Sequence, residues 1–227
     1  MASSHTSEWN APKCHEKRRH YSIGWGLVRG IEFYKILKRM IGDTEAARCL
    51  SRICHLNGLD EKFHDDITNA EALAFYVYST ANGWHSHINA ELWSGNPNPD
   101  VLAFAEVLNS GLGKLAPIKG THGTVYRGFS ANDLEGFAAQ YREGQIVTFP
   151  AFTSASFKET GAFGGNVLFI IRALSARAIW FLSPNFHEEE ALLPTSCRFQ
   201  IVDTEFQIVG DQRVKFVVIL QEITARP

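Results

Sequence analysis

The chain changes periodicity once, near residue 120, and that change narrows the folds open to it. From Gly26 to Leu115 apolar residues recur at helical spacing, as in Leu27, Ile31, Tyr34, Ile36 and Leu37. Asp43-Thr44-Glu45 opens a second helix that Asn57-Gly58 closes, and Ala70 to Tyr78 and Pro99 to Leu108 are predicted as two more, the last with proline in its first turn. From Thr124 onward the texture is that of short strands rich in β-branched and aromatic residues: Thr124-Val125-Tyr126, Gln145 to Phe149, Asn166 to Ile171, Ala178 to Leu182, Phe199 to Val202 and Val214 to Ile219. One helix interrupts them, from Ser130 as N-cap through Asp133 to Tyr141, closing near Gly144. Helices first and strands after predict an α+β domain whose sheet is largely antiparallel.

Composition excludes several classes of function. With 227 residues, 45% of them hydrophobic, the chain can bury one large core, and one compact domain with an N-terminal elaboration fits best. A formal charge of -2 supplies no field to hold nucleic acid or an anionic membrane, so no nucleic-acid partner is expected. The local basic cluster Lys13 to His20 reads as a solvated face or a helix start. No apolar run approaches the roughly 20 residues that span a bilayer, and the opening MASSHTSEWN lacks the apolar core of a secretory signal, so a soluble protein without a membrane span is expected. The four cysteines (Cys14, Cys49, Cys54 and Cys197) lack zinc-ligand spacing and read as reduced, structural thiols; no metal is expected.

Three short elements of the strand-rich half carry the chemistry. Tyr126-Arg127-Gly128 ends the first strand. Arg127 has a bland reading, a strand-end arginine paired to some carboxylate, and a functional one, in which its planar fork holds a pyrophosphate and Gly128 lets a ligand approach the backbone. Phe152-Thr153-Ser154-Ala155-Ser156 follows a later strand. It reads either as a polar turn or as a strand on which Ser154 and Ser156 share one face. Glu188-Glu189-Glu190 runs directly into the apolar Ala191-Leu192-Leu193. As a solvated loop it would be unremarked, but if it enters a strand, Glu188 and Glu190 share a face at the edge of a core.

Arginine, serine strand and paired glutamates in this order resemble the mono-ADP-ribosyltransferases of the arginine-serine-glutamate class, found among bacterial toxins and effectors and among vertebrate ecto-enzymes. Val125-Tyr126-Arg127-Gly128, Phe152 to Ser156 and Glu188 to Pro194 carry the resemblance. Ala72 to Leu92, with Tyr76-Val77-Tyr78 and Ile88-Asn89, is similar to the helical segment before the arginine strand in that family. The resemblance spans about residues 65 to 223. It divides the chain into residues 1–64, an N-terminal helical extension of unassigned role, and residues 65–227, a catalytic domain.

The resemblance implies a split antiparallel β-sandwich with an N-terminal helical lobe, and NAD as co-substrate in a cleft between the two sheets. It implies Arg127, Ser154, Glu188 and Glu190 as the catalytic set. Arg127 contacts the NAD phosphates, the backbone of Gly128 reads the nicotinamide carboxamide, and Ser154 orients Glu190. Tyr126, Ser156, Lys158 and Phe163 complete the NAD-binding residues, Lys158 and Phe163 from a loop over the phosphates; Lys158 also has the plain reading of an exposed lysine. Glu190 stabilises the charge that develops on the ribose as nicotinamide leaves, and Glu188 engages the acceptor. Phe186, His187 and Glu188 are the implied substrate-recognition residues.

One departure stands in the serine strand, where Ala155 replaces the family's usual central threonine and faces away from both serines. A glutamate at position 188 fits transfer to arginine, so the expected partner is a target protein bearing that side chain. An NAD glycohydrolase and an inactive NAD- or protein-binding module of the same fold are the alternatives. The Ser-rich opening is compatible with a secreted effector delivered into host cells, and otherwise the chain is expected in the cytoplasm.

Overall fold

The computed structural model of the chain describes residues 26–59, 66–80, 82–117, 123–162, 164–179, 190–209 and 213–224, without the side chains of 26–29, 54–59, 209, 213 and 214. Five helices come first: α1 (Gly26–Ile41), α2 (Asp43–Leu59), α3 (Asn69–Ser79), α4 (Trp84–Trp93) and α5 (Pro99–Lys114). Eight strands follow: β1 (Thr124–Phe129), β2 (Ile146–Phe149), β3 (Thr153–Ser156), β4 (Val167–Arg172), β5 (Arg177–Ala178), β6 (Glu190–Leu193), β7 (Cys197–Val209) and β8 (Arg213–Ile223). The helix α6 (Leu134–Ala138) separates β1 from β2. The α+β order read from periodicity is the order observed.

Local chemistry sets the helix ends. Thr68 caps α3 in a reciprocal box with Glu71, and Asn98 caps α5 ahead of Pro99. The predicted N-cap Ser130 is corrected by the structure: Asp133 caps α6, its carboxylate accepting from the Gly136 amide at 2.9 Å, and the helix is five residues long. Helix α4 was not resolved from the residues as a separate element, because left-handed Gly83 supplies its start without a capping side chain. The ribbon β7–β8 runs 13 and 11 residues, well beyond the predicted strands, and the predicted strand Ala178 to Leu182 lies, past Ile179, outside the described residues.

The strands hydrogen-bond in the order β2-β7-β8-β4-β1-β3-β6-β5, antiparallel except for β4 beside β8. One joint in this series is thin. The strands β1 and β3 share the single pair Tyr126–Ser156, so five strands on one side and three on the other behave as two halves. Val125, Phe169, Phe199 and Val218 of the larger half meet Ala155, Ala191 and Leu193 of the smaller in one apolar cluster, which is the sandwich core. A second core lies under the helices. Phe33 and Leu37 of α1, Cys49 and Ile53 of α2, Phe75 and Tyr78 of α3, and Phe104 and Leu108 of α5 pack there with Phe152 and Leu192 from the sheet. The helices α1 and α2 therefore share the core of the helices that follow them. Among the described residues no helix is long and apolar enough to cross a membrane.

Glu71 fastens this lobe. Its carboxylate is buried and accepts from the Lys114 ammonium at 2.7 Å, the Ser110 hydroxyl at 2.7 Å and the Thr68 amide at 2.8 Å. Burial alone would raise its pKa, but Lys114, Ser110 and Thr68 outweigh burial and hold it below the usual carboxylate range. The folded state then binds this proton less tightly than the unfolded chain, whose glutamate titrates near about 4.3. Glu71 contributes its stability above that value and loses it as pH falls through the depressed folded value. Glu71→Gln is expected to cost about 2–3 kcal/mol at pH 7 and much less at pH 3, read from urea unfolding midpoints at the two pH values.

Candidate active site

Of the candidate residues described, Arg127 lies on β1, Ser154 and Ser156 on β3, and Glu190 on β6, three strands that pair in series. Along β3, Ala155 belongs to the sandwich core, so alternation turns Ser154 and Ser156 to the opposite face, toward the helical lobe. Along β6, Ala191 and Leu193 enter the sandwich core while Leu192 enters the helical core. Glu190 shares Leu192's face. Register sets Ser156 directly opposite Glu190 and Ser154 opposite Leu192. Cross-strand neighbours of this kind have Cβ atoms about 5 Å apart, so Ser156 is the serine beside Glu190.

Ser154 meets Arg127 through its backbone. Its carbonyl accepts from Arg127 Nη1 at 2.9 Å. Continuing the β1–β3 register by two would set Gly128 against Ser154, but no such pair forms, and the guanidinium takes the carbonyl instead. Arg127 has no carboxylate within ion-pair distance among the described residues. Burial pushes its pKa down from the ordinary value, with Tyr78 acting weakly against that, and the group stays a cation.

Tyr78 is the residue that sequence reasoning left without a role. It lies in the last turn of α3, fully buried, its ring edge-on to Phe152 at 5.4 Å and to His85 at 6.2 Å. Asn89 Nδ2 on α4 donates to its hydroxyl at 3.0 Å. Burial raises its pKa, opposed by the nearby Ser154 hydroxyl, Asn89 and Arg127, while Glu190 adds to the rise. The phenol thus stands within the fields of both Arg127 and Glu190. Burial and then Arg127 lower the pKa of His85, which favours its neutral form. The signal for Tyr78 was a tyrosine in a helix buried on all sides, since Glu71 through Tyr78 are all buried; a buried phenol needs partners.

The remaining candidates take simpler places. Tyr126 faces Ile170 across β4 and Ser156 across the joint; Gly128 is buried opposite Leu168. The Ser156 hydroxyl accepts from the Lys158 amide at 3.2 Å, and the Lys158 side chain is exposed. Phe163, Phe186, His187 and Glu188 lie outside the described residues, as does Glu189. The loop after β1 is pinned by Asn166, whose side-chain amide accepts from the Ala131 N–H at 2.8 Å and donates to the Ala131 carbonyl at 2.9 Å. Gly165 is needed beside it, because a Cβ there would stand 2.2 Å from the Phe129 carbonyl oxygen. An open groove of about 750 Å³ between α6 and the β7–β8 ribbon, lined by Leu134, Ala138, Phe206 and Phe216, shares none of these candidate residues.

A family model described as NAD:arginine ADP-ribosyltransferase matches residues 34–225. The chain belongs to that family. It is 30% identical over 171 residues to NAD(+)--protein-arginine ADP-ribosyltransferase Tre1 of Pseudomonas putida (strain GB-1), covering 74% of this chain and 33% of that protein. It is 32% identical over 140 residues to Tre1 of Serratia proteamaculans (strain 568), covering 60% of this chain and 29% of that one. The chain thus spans about a third of the length of the curated relatives it matches. Its fold is similar to that of the ADP-ribosyltransferase HopU1 of Pseudomonas syringae pv. Tomato DC3000, with TM-score 0.66 and 20% identity over 91% of this chain and 100% of that one. It is also similar to exoenzyme S of Pseudomonas aeruginosa, solved with human 14-3-3 protein beta and carba-NAD, with TM-score 0.63 and 14% identity over 85% of this chain and 88% of that one.

Removing the guanidinium opens the joint before any ligand is involved. Arg127→Ala is expected to lower stability by about 1–3 kcal/mol in ligand-free protein, because the Ser154 carbonyl loses its donor. Chemical unfolding without NAD checks this.

Proposed function

We propose that the chain is the catalytic part of a mono-ADP-ribosyltransferase that moves ADP-ribose from NAD to an arginine side chain of a target protein, releasing nicotinamide. The observation that carries the reading is the state of Arg127: a half-buried cation, bonded to a backbone carbonyl and with no carboxylate partner among the described residues, set beside Ser154, Ser156 and Glu190. A cation held this way retains N–H donors for an anionic ligand, and its planar fork suits a pyrophosphate. NAD brings one.

In this reading the bond between ribose C1′ and the nicotinamide nitrogen breaks, and the electron pair leaves with nicotinamide. Positive charge spreads over the ribose ring. Glu190, hydrogen-bonded to the ribose 2′-hydroxyl, stabilises that charge more than it stabilises ground-state NAD, which is the condition for acceleration. A guanidinium nitrogen of the acceptor then bonds to C1′ and loses its proton, for which Glu188 is the assigned base. The Phe186-His187 segment ahead of it is the proposed contact for the target protein.

Incubation of the protein with labelled NAD and a cell lysate, followed by mass spectrometry, is expected to place ADP-ribose on arginine. Glu190→Ala is expected to reduce NAD cleavage and transfer together by about 100-fold or more, the scale of a lost electrostatic stabiliser. Glu188→Ala is expected to abolish transfer while some NAD hydrolysis persists. Intact NAD with the wild-type protein would overturn the transferase reading, and wild-type rates in Glu190→Ala would overturn the assigned role.

A further inference from the structure

Strand β7 outruns its outer neighbour. The strand β2 covers it from Cys197 to Gln200, and two more backbone bonds, from the Ile201 amide to Gln145 and from the Gly144 amide to Ile201, end that pairing. From Asp203 to Val209, β7 pairs with β8 on one side and, among the described residues, with no strand on the other. An open edge offers its amides and carbonyls to another strand, and this one holds neither the proline nor the lysine that commonly closes an edge. The bulge between Ile201 and Asp203 decides what the edge presents. Before it, Phe199 and Ile201 enter the sandwich core, and Ile201 turns its backbone outward to β2. The extra residue moves both roles to the even positions: Thr204 and Phe206 line the groove beside α6, and the Phe206 ring lies 4.9 Å from that of Phe216 in the same core. The Thr204 amide donates to the Asp203 carboxylate at 2.8 Å, so it is turned away from β8, and alternation turns the amides of Phe206 and Ile208 outward with it. Phe206 is 55% and Ile208 78% exposed. Among the described residues, the apolar face of the core thus runs on uncovered along an open edge.

We propose that the occupant of this edge is a second copy of the chain, its Asp203 to Val209 lying antiparallel to the first about a two-fold axis through Phe206. The segment is self-complementary in that register. On the apolar face Phe206 meets Phe206 and Thr204 meets Ile208, so each outward amide reaches a carbonyl of the other copy and Ile208 covers the groove wall at Thr204. On the opposite face Glu205 meets Gln207, a pairing already favoured within one strand, where Gln207 Nε2 donates to the Glu205 carboxylate. Asp203 meets Val209, so no two carboxylates stand directly opposed. A two-fold axis through Glu205 would instead set that carboxylate against itself. The formal charge of -2 leaves little long-range repulsion between copies. The contact uses the same patch on both partners and closes at two copies. It lies on β7, apart from the strands that carry Arg127, Ser154 and Glu190, and it holds whether or not the chain transfers ADP-ribose.

Analytical ultracentrifugation of the full chain over about 1–300 µM tests the association. A monomer–dimer equilibrium with a dissociation constant of about 10–100 µM is expected, the scale of an interface below the standard size. Ile208→Pro removes one outward amide and leaves the pairing with β8, so it is expected to weaken the dimer about tenfold or more with an unchanged urea midpoint. Mild oxidation reads the register. Thr204→Cys mixed with Ile208→Cys is expected to give a cross-linked dimer, because opposed Cα atoms stand about 5.5 Å apart. Neither variant alone is expected to do so beyond the wild-type level, because its two new thiols start from Cα atoms about 14 Å apart. The cross-link decides the matter where Ile208→Pro alters the fold. A wild-type chain that is monomeric throughout overturns the proposal and leaves the edge to a strand of another protein. A dimer that a well-folded Ile208→Pro does not weaken, or one that gives no cross-link in the mixture, overturns it equally.

Discussion

The guanidinium of Arg127 on the Ser154 carbonyl closes the thinnest joint of the sheet among the described residues, and the joining of its two halves depends on it. Elsewhere the strands hold each other through runs of paired residues, six between β1 and β4 alone. Between β1 and β3 there is one pair. A backbone carbonyl left without a donor at such a place costs about 1–3 kcal/mol, and the strands stop pairing there. A long, planar, permanently charged side chain satisfies the carbonyl without closing the gap, which a further backbone pair could not do. The same choice leaves a cation at the mouth of the gap. One side chain thus holds the two halves together at the place where the backbone pairing stops.

The helical lobe is joined to this sheet by specific contacts as well as by apolar packing. Leu192 and Phe152 reach from the strands into the helical core, and Asn109 of α5 exchanges hydrogen bonds with Thr195 in the turn after β6, at 2.8 and 3.3 Å. Glu71 with Lys114 binds α3 to α5. The helix that carries Tyr78 is thus fixed to the helix that steadies the end of β6. A displacement of α3 would therefore be carried through α5 to the turn that ends β6.

Much of the site was legible in the sequence because strands alternate. Ser154 and Ser156 on one face, with Ala155 on the other, needed only a period of two, and so did the sharing of a face by Glu190 and Leu192. What alternation could not supply was register. The register sets Ser156 directly opposite Glu190, and the Ser154 carbonyl accepts from Arg127. The parallel pair β4–β8 was likewise hidden, because strand order along the chain does not state which strands become neighbours. Asp133 displaced Ser130 as a cap for a local reason: both residue types cap well, and only the backbone decides which amide lies within reach. Tyr78 escaped because a helix buried on every side reads as apolar core, and its hydroxyl finds its partner, Asn89, only once α4 packs beside α3.

The position of the last glutamate shows how tightly fold and chemistry are coupled. The strand β6 is four residues long, and its alternation sends Ala191 and Leu193 into the sandwich and Leu192 into the helical core. A slip of one residue would exchange these faces and drive Glu190 into an apolar cluster, at the cost of a buried carboxylate without a partner. Two features downstream oppose the slip. Thr195 is held by Asn109, and Ser196 takes a left-handed conformation, φ 62°, that turns the chain sharply into β7. The acidic run must therefore end at residue 190 and the apolar run begin at 191. The carboxylate at the boundary keeps its place opposite Ser156 because the three residues behind it have nowhere else to go.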